Sequence, residues 1–244
     1  AHRSTIRNCV VQLSHGGWTD QVITSYGDEN SRSIIEGNAI TASGSVYGIK
    51  TTYADVLNNL ITGGNSQPGI YISGGDVLIS GNVITDMYLG IQSDNAQIDV
   101  QNNTIGSTSQ EVIKLSGENG SSIIKYNLLA TTSGRGIVSE NQTNVEIINN
   151  TIVGTESADY AIHISNYSTP VVRNNIIHGF QNGIYAENNF ANYNISYNDL
   201  WQISNSLFEG TAMPALIGEI ISQNQNGDPS DIYYNISMDP LYID

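Results

Sequence analysis

Short runs of alternating apolar and polar residues, each ended by a polar break, recur along the chain. Ile34-Ile35-Glu36-Gly37-Asn38-Ala39-Ile40, Leu78-Ile79-Ser80-Gly81-Asn82-Val83-Ile84 and Ile147-Ile148-Asn149-Asn150-Thr151-Ile152 share one shape. Aligned on the last Asn, the series runs Asn38, Asn59, Asn82, Asn103, Asn127, Asn150, Asn175 and Asn198, with gaps of 21, 23, 21, 24, 23, 25 and 23 residues. Ile6-Arg7-Asn8-Cys9-Val10-Val11 has the same form, with Cys9 in the Asn slot. An aliphatic residue follows two places after the slot in every copy, from Val11 to Leu200. A second series keeps step with the first: Gly48-Ile49, Gly69-Ile70, Gly90-Ile91, Val112-Ile113, Gly136-Ile137, Ala161-Ile162 and Gly183-Ile184.

Each repeat therefore holds three short period-two runs separated by turns, none long enough for a helix. One such unit cannot bury its inward face alone, but stacked units can. The pattern predicts an all-β chain: a single-stranded parallel β-helix (a solenoid) of about nine rungs over residues 1–200, each rung about 4.8 Å from the next. The Asn slot is expected at a tight bend, because Asn tolerates positive φ better than any other non-Gly residue. In register, the carboxamides can hydrogen-bond from rung to rung. Residues 201–244 leave the repeat and are expected to form a C-terminal cap. Within them, Thr211 to Ile221 reads as a short helix, opened by Pro214 and carrying Leu216, Ile217, Ile220 and Ile221.

Composition narrows the function. The 244 residues hold 8 basic and 23 acidic side chains, a net charge of −15, which argues against a nucleic-acid binder. No apolar run is long enough for a membrane span. Cys9 is the only cysteine, which excludes an intramolecular disulfide and a multi-thiolate metal site. No metal-ligand set emerges and no cofactor is required. Ca²⁺ is the one cation for which there are oxygen donors, at Asp28, Glu29 and Asn30 and at Asp228 with Asp231, although solvated acidic loops explain both groups more simply. Sequons at Asn119, Asn141 and Asn166 are what an Asn-rich chain produces by chance.

The Asn-Asn-Thr-Ile and Gly-Ile-Tyr repeats resemble those of right-handed parallel β-helix proteins of the pectate-lyase-like superfamily, over roughly residues 5 to 200. That family includes sugar-active and sugar-binding domains of microbial surface proteins. The tail from Asn235 to Asp244 resembles the segment after the last rung in such proteins, without their following Ser-Pro-x-Ile-Asp stretch. The resemblance implies an extracellular or cell-surface protein that binds or processes polysaccharide along one strand face. Both ends look cut, and the missing amino-terminal cover is expected from an adjoining domain or a neighbouring subunit.

On the strand headed by the Gly-Ile series, the outward positions are Lys50, Tyr71, Gln92, Lys114, Val138, His163 and Tyr185. Two residues on stand Thr52, Ser73, Asp94, Ser116, Glu140, Ser165 and Glu187. Tyr rings stack on sugars and ammonium groups pair with uronate carboxylates, so Lys50, Tyr71, Gln92, His163, Tyr185 and Glu187 are the candidate substrate-binding residues. A lyase needs a base and a cation to neutralise the substrate carboxylate. Lys114 with Asp94 and Glu140 is the best available catalytic set. As a glycosidase pair, Asp94 and Glu140 would stand about 9–10 Å apart by rung spacing, a separation suited to inversion. Gly48-Ile49-Lys50-Thr51 resembles a polygalacturonase motif, but its companion aspartates are missing. Ser14-His15-Gly16-Gly17 reads as a turn. The same outward residues are also ordinary on an exposed sheet. The alternative function is a structural or adhesive surface rod that self-assembles and has no catalytic activity.

Overall fold

The computed structural model describes residues 4–64, 67–117, 121–141, 144–165, 170–187, 193–211 and 213–242, apart from the side chains of 15–19 and 107. The sequons at Asn119 and Asn166, the side chain of His15 and the final Ile243-Asp244 lie outside the described residues. The chain coils into a parallel β-helix with three strand faces. The first face has nine strands: Thr5–Arg7, Ser33–Glu36, Ala54–Leu57, Gly75–Ser80, Ala96–Gln101, Ser121–Lys125, Asn144–Ile148, Val171–Arg173 and Asn194–Ser196. Eight successive parallel pairings join them, so the coil rises about 40 Å.

The second and third faces merge into one sheet, because Val10–Tyr26 and Ala39–Thr52 run unbroken round the corner between them. From there on they separate. The second face continues as Leu60–Gly64, Val83–Thr85, Thr104–Thr108, Leu128–Thr131, Thr151–Val153, Ile176–His178 and Asp199–Trp201. The third continues as Pro68–Ile72, Leu89–Asp94, Ile113–Ser116, Ile137–Glu140, Tyr160–Ser165, Asn182–Glu187 and Ser206–Glu209.

Three inward aliphatic columns make the core. On the third face Ile49, Ile70, Ile91, Ile113, Ile137, Ile162 and Ile184 stack in register. All are buried, and each contributes about 1.5–3 kcal/mol by leaving water. Ile35, Val56, Ile79, Val100, Ile124, Ile147, Val172 and Ile195 do the same on the first face. The Gly before Ile49, Ile70, Ile91, Ile137 and Ile184 keeps the corner tight. A Cβ on Gly69 would stand 2.6 Å from the Ile84 side chain and 2.9 Å from the Gly90 carbonyl of the next rung.

The Asn slot differs from expectation in one respect. Asn38, Asn59, Asn82, Asn103, Asn127, Asn150, Asn175 and Asn198 are buried, and none has positive φ. The left-handed residue is the one before each, Gly37, Asn58, Gly81, Asn102, Tyr126, Asn149, Asn174 and Tyr197, with Asn8 in the same place before Cys9. That residue makes the bend, which turns the following Asn inward. The Asn38 backbone N–H and Nδ2 both donate to Asn59 Oδ1, at 3.0 and 2.9 Å, and the arrangement repeats through Asn198. Cys9 joins through its backbone N–H, which donates to Asn38 Oδ1.

The row runs one step further than the repeats suggest. Asn198 donates in the same way to Asn235, 37 residues on, and Asn235 donates to Asp231. Asp231 is fully buried; its Oδ1 accepts from the N–H of Tyr233 and Asn235, its Oδ2 from the Gly218 N–H and Asn235 Nδ2.

The helix expected over Thr211 to Ile221 does not form. Leu216 and Gly218 adopt φ of 66° and 75°, which no right-handed helix allows, and the Gly218 N–H is taken by Asp231. Met213 and Ile217 pack against the core, whereas Ile220 and Ile221 are exposed. The rest of the segment holds a small antiparallel pair, Ser222–Gln223 with Pro229–Ser230.

Candidate functional site

Register fixes the outward columns of the third face. Lys50, Tyr71, Gln92, Lys114, Val138, His163, Tyr185 and Glu209 follow one another on neighbouring strands. Asp94, Ser116, Glu140, Ser165 and Glu187 form the column beside it. Val138 is fully covered rather than outward-exposed, so it divides the column into two groups.

The group nearer the amino end is built on two tyrosines. The Tyr47 and Tyr71 rings lie 5.2 Å apart, and Lys50 Nζ stands 5.7 and 5.3 Å from their centres. Asp94 is enclosed by hydrogen-bond donors: Gln92 Nε2 at 3.2 Å, the Ser116 hydroxyl and the Tyr71 hydroxyl. Burial first, and then this bond to Asp94, push the Tyr71 phenol well above its ordinary value. Burial likewise raises Tyr47, with Asp94 adding to it.

The other group carries more chemistry. Arg135 donates through Nη2 to Glu111, which is only 6% exposed, and through Nη1 to His163 Nδ1 at 3.0 Å. A guanidinium cannot accept, so His163 Nδ1 is the acceptor and the ring proton sits on Nε2. Burial, then the Arg135 charge, lower the His163 pKa; Glu140, Asp159 and Glu187 oppose this. The His163 ring is 5.5 Å from Tyr160 and 4.8 Å from Tyr185, and the two tyrosines are 5.2 Å apart. The Tyr160 hydroxyl donates to Glu209 Oε2 at 3.2 Å, and burial with the Glu209 charge pushes its pKa up to about 12. Tyr185 is raised by burial and then by Glu187, which accepts its hydrogen bond. Lys114 Nζ is 3.7 Å from Glu140 Oε2.

The catalytic set expected from the sequence is thus divided: Asp94 serves the first group, while Lys114 and Glu140 pair with each other. His163, Tyr185 and Glu187 come together, as do Lys50, Tyr71 and Gln92 with Asp94. Tyr47, Glu111, Arg135, Tyr160 and Glu209 were not anticipated. The first four stand immediately before the repeated pair headed by Gly48, Val112, Gly136 and Ala161, a column that the alternation alone would send inward; Glu209 lies beyond the last aligned repeat. Chemically, the second group is rich in donors and poor in bases. His163 presents an N–H, Tyr160 and Tyr185 are neutral phenols at neutral pH, and Arg135 and Lys114 are neutralised by carboxylates.

The oxygen clusters weighed for Ca²⁺ are engaged within the chain. Asp231 is held by four donors, Asp228 accepts from Asn224, and Asp28 accepts from the Asn30 N–H. No group of three His, Cys, Asp or Glu among the described residues could hold a metal ion. Nor is any helix among them long and apolar enough to cross a membrane.

Comparison of the sequence with curated proteins gives no match. Among solved structures, the chain is similar to an alginate lyase from Paenibacillus sp. str. FPU-7, at 14% identity and a TM-score of 0.48, covering 97% of this chain and 98% of that one. The family model for the right handed beta helix region matches residues 21–169, more than half of the chain and most of its rungs. By its stacked columns and by that match, the chain belongs to the right-handed β-helix family.

Proposed function

We propose that the third face binds a polysaccharide along the coil axis, with Tyr160, His163 and Tyr185 as the principal sugar contact. The observation that carries this reading is the cluster of three part-exposed rings, framed by Arg135, Glu187 and Glu209. Aromatic rings stack on the C–H faces of sugars, and fixed carboxylates and N–H groups exchange hydrogen bonds with hydroxyls. Around His163, the cations Lys114 and Arg135 face Glu111, Glu140, Asp159, Glu187 and Glu209. That excess of carboxylate, on a chain of net charge −15, favours an uncharged glycan over a polyuronate. These carboxylates already have partners, Glu111 in Arg135, Glu140 in Lys114, Glu187 in Tyr185 and Glu209 in Tyr160, which favours binding over cleavage. A protein of this kind works outside the cell or at its surface, where such polymers are found.

The test is calorimetric titration with uncharged and uronate oligosaccharides, together with assays for unsaturated uronate and for new reducing ends. Uncharged oligosaccharides are expected to bind, and Tyr160→Ala or Tyr185→Ala to weaken that binding with the fold intact. Binding to no glycan, or binding indifferent to both variants, would sink the proposal. Turnover of a polyuronate that Lys114→Ala abolishes would replace it with the lyase reading.

A further inference from the structure

The second face and the corner leading into it are unlike the rest of the surface. Three outward columns run side by side there. The corner column is Asn8, Gly37, Asn58, Gly81, Asn102, Tyr126, Asn149, Asn174 and Tyr197. The next is Val10, Ala39, Leu60, Val83, Thr104, Leu128, Thr151, Ile176 and Asp199. The last runs Gln12, Thr41, Thr62, Thr85, Gly106, Ala130, Val153, His178 and Trp201. Ahead of His178 and Asp199, at the carboxyl end, this strip carries no acidic or basic side chain, although the chain as a whole has a net charge of −15.

Exposure is concentrated in the same strip. Among the described residues before position 200, every large aliphatic side chain that is exposed stands in its middle column: Val10, Leu60, Val83 and Leu128. Tyr126 and Tyr197 are exposed at its edge. Exposed aliphatic side chains gathered on one uncharged strip mark an interaction site.

We propose that the strip is the interface on which a second copy of this chain docks, side by side and antiparallel, about a two-fold axis near Val83. Charge selects this partner. The other two faces carry carboxylates, such as Asp55, Asp99 and Glu146 on the first and Asp94, Glu140 and Glu187 on the third. Of the three strand faces, this strip lets two copies of so acidic a chain meet without bringing carboxylates together. Area agrees with it. The chain's own tail covers the last two rungs, where Tyr242 stands against His178, Tyr234 against Tyr197 and the Met238 N–H on Asp199. The seven rungs before them, at about 4.8 Å by three columns of alternate residues, span about 650–700 Å² per partner, within the range of specific interfaces. A strip that repeats at the strand spacing also presents the same surface when turned about a two-fold axis through its middle uncovered rung, where Val83 lies. The inference is independent of the glycan reading, which concerns the third face.

Sedimentation velocity of the full chain tests it, across concentration and salt. A reversible dimer is expected, tightening with salt as the net charges are screened. Leu60→Glu with Leu128→Glu would introduce charges into the interface and raise the dimer dissociation constant at least about tenfold. Both side chains are exposed, so circular dichroism and thermal melting should show an unchanged fold. In a Cys9→Ser background, Val83→Cys is expected to cross-link to its own copy under mild oxidation. A monomer under all conditions would overturn the proposal, including one whose strip instead retains an insoluble uncharged polysaccharide. So would a dimer that the double substitution leaves untouched.

Discussion

The second and third faces share a backbone, a register and a core, and differ in everything that points outward. Beneath both lies a column of Ile or Leu. Above the second stand Thr, Val, Leu and Ala, uncharged over most of its length. Above the third stand Tyr, His, Arg, Lys and Glu, tied into two networks. In this architecture the inward half of each strand encodes the stack and the outward half is free to encode something else. Fold and function are therefore written on alternate residues, and one chain can carry two unrelated surfaces on the same scaffold.

The comparison holds only if the scaffold is common to both faces, which the buried carboxamides test most severely. Asn103→Leu removes the acceptor of the Asn82 N–H and Nδ2 and strands the Ile79 carbonyl. A loss of about 3 kcal/mol or more is expected in denaturant unfolding, with both faces melting together. Independent melting of the two would break the comparison. Next comes Arg135→Ala, which leaves the buried Glu111 charge without its guanidinium and should cost about 1–3 kcal/mol. It should also raise the His163 pKa, followed by the ring-proton NMR shift, because Arg135 holds that pKa down. Tyr185→Ala should weaken glycan binding about tenfold while leaving self-association unchanged.

A smaller effect is expected from pH. The folded His163 titrates below the 6.5 of the free side chain, so the unfolded chain binds the proton more readily. Stability from this group is complete above pH 6.5 and declines as pH falls below it; glycan affinity should fall in parallel, while dimerisation through the second face should not follow His163. The smallest change comes from Lys50→Met, which removes the ammonium from between Tyr47 and Tyr71 and should cost about 0.5–1 kcal/mol in an unfolding titration. If glycan affinity changes as much as with Tyr185→Ala, the sugar contact extends across both groups of the third face.

The repeats were legible because each inward column must be aliphatic in every copy and the spacing must keep register. Lys114 beside Glu140 and His163 beside Tyr185 follow directly from that register. Other features depend on side-chain geometry that period alone does not carry. Positive φ at Asn58 rather than Asn59 depends on which of two adjacent Asn residues turns inward, and both are chemically fit for the bend. Asp94 looked free for catalysis because its three donors come from three different strands. Arg135 went unnoticed because it precedes the apolar pair, where the corner turns a side chain that strict alternation would send inward out over the sheet. The helix near Pro214 had the right apolar spacing, but the Asp231 carboxylate competes for the Gly218 N–H and holds that stretch in turns.

Asp231 also gives the stack a direction. From Cys9 onward, each backbone N–H of the row points toward the carboxyl end, as does one N–H of each Asn Nδ2 while the other returns to a carbonyl of an earlier strand, so the row keeps a net positive pole at the carboxyl end. A further Asn would pass that pole to another rung. A carboxylate, which has no proton to pass on, neutralises it instead. The row thus ends at an anionic stop that passes nothing on. A rung grafted after Asn235 would require the removal of Asp231, whereas one inserted anywhere before it would leave the row intact.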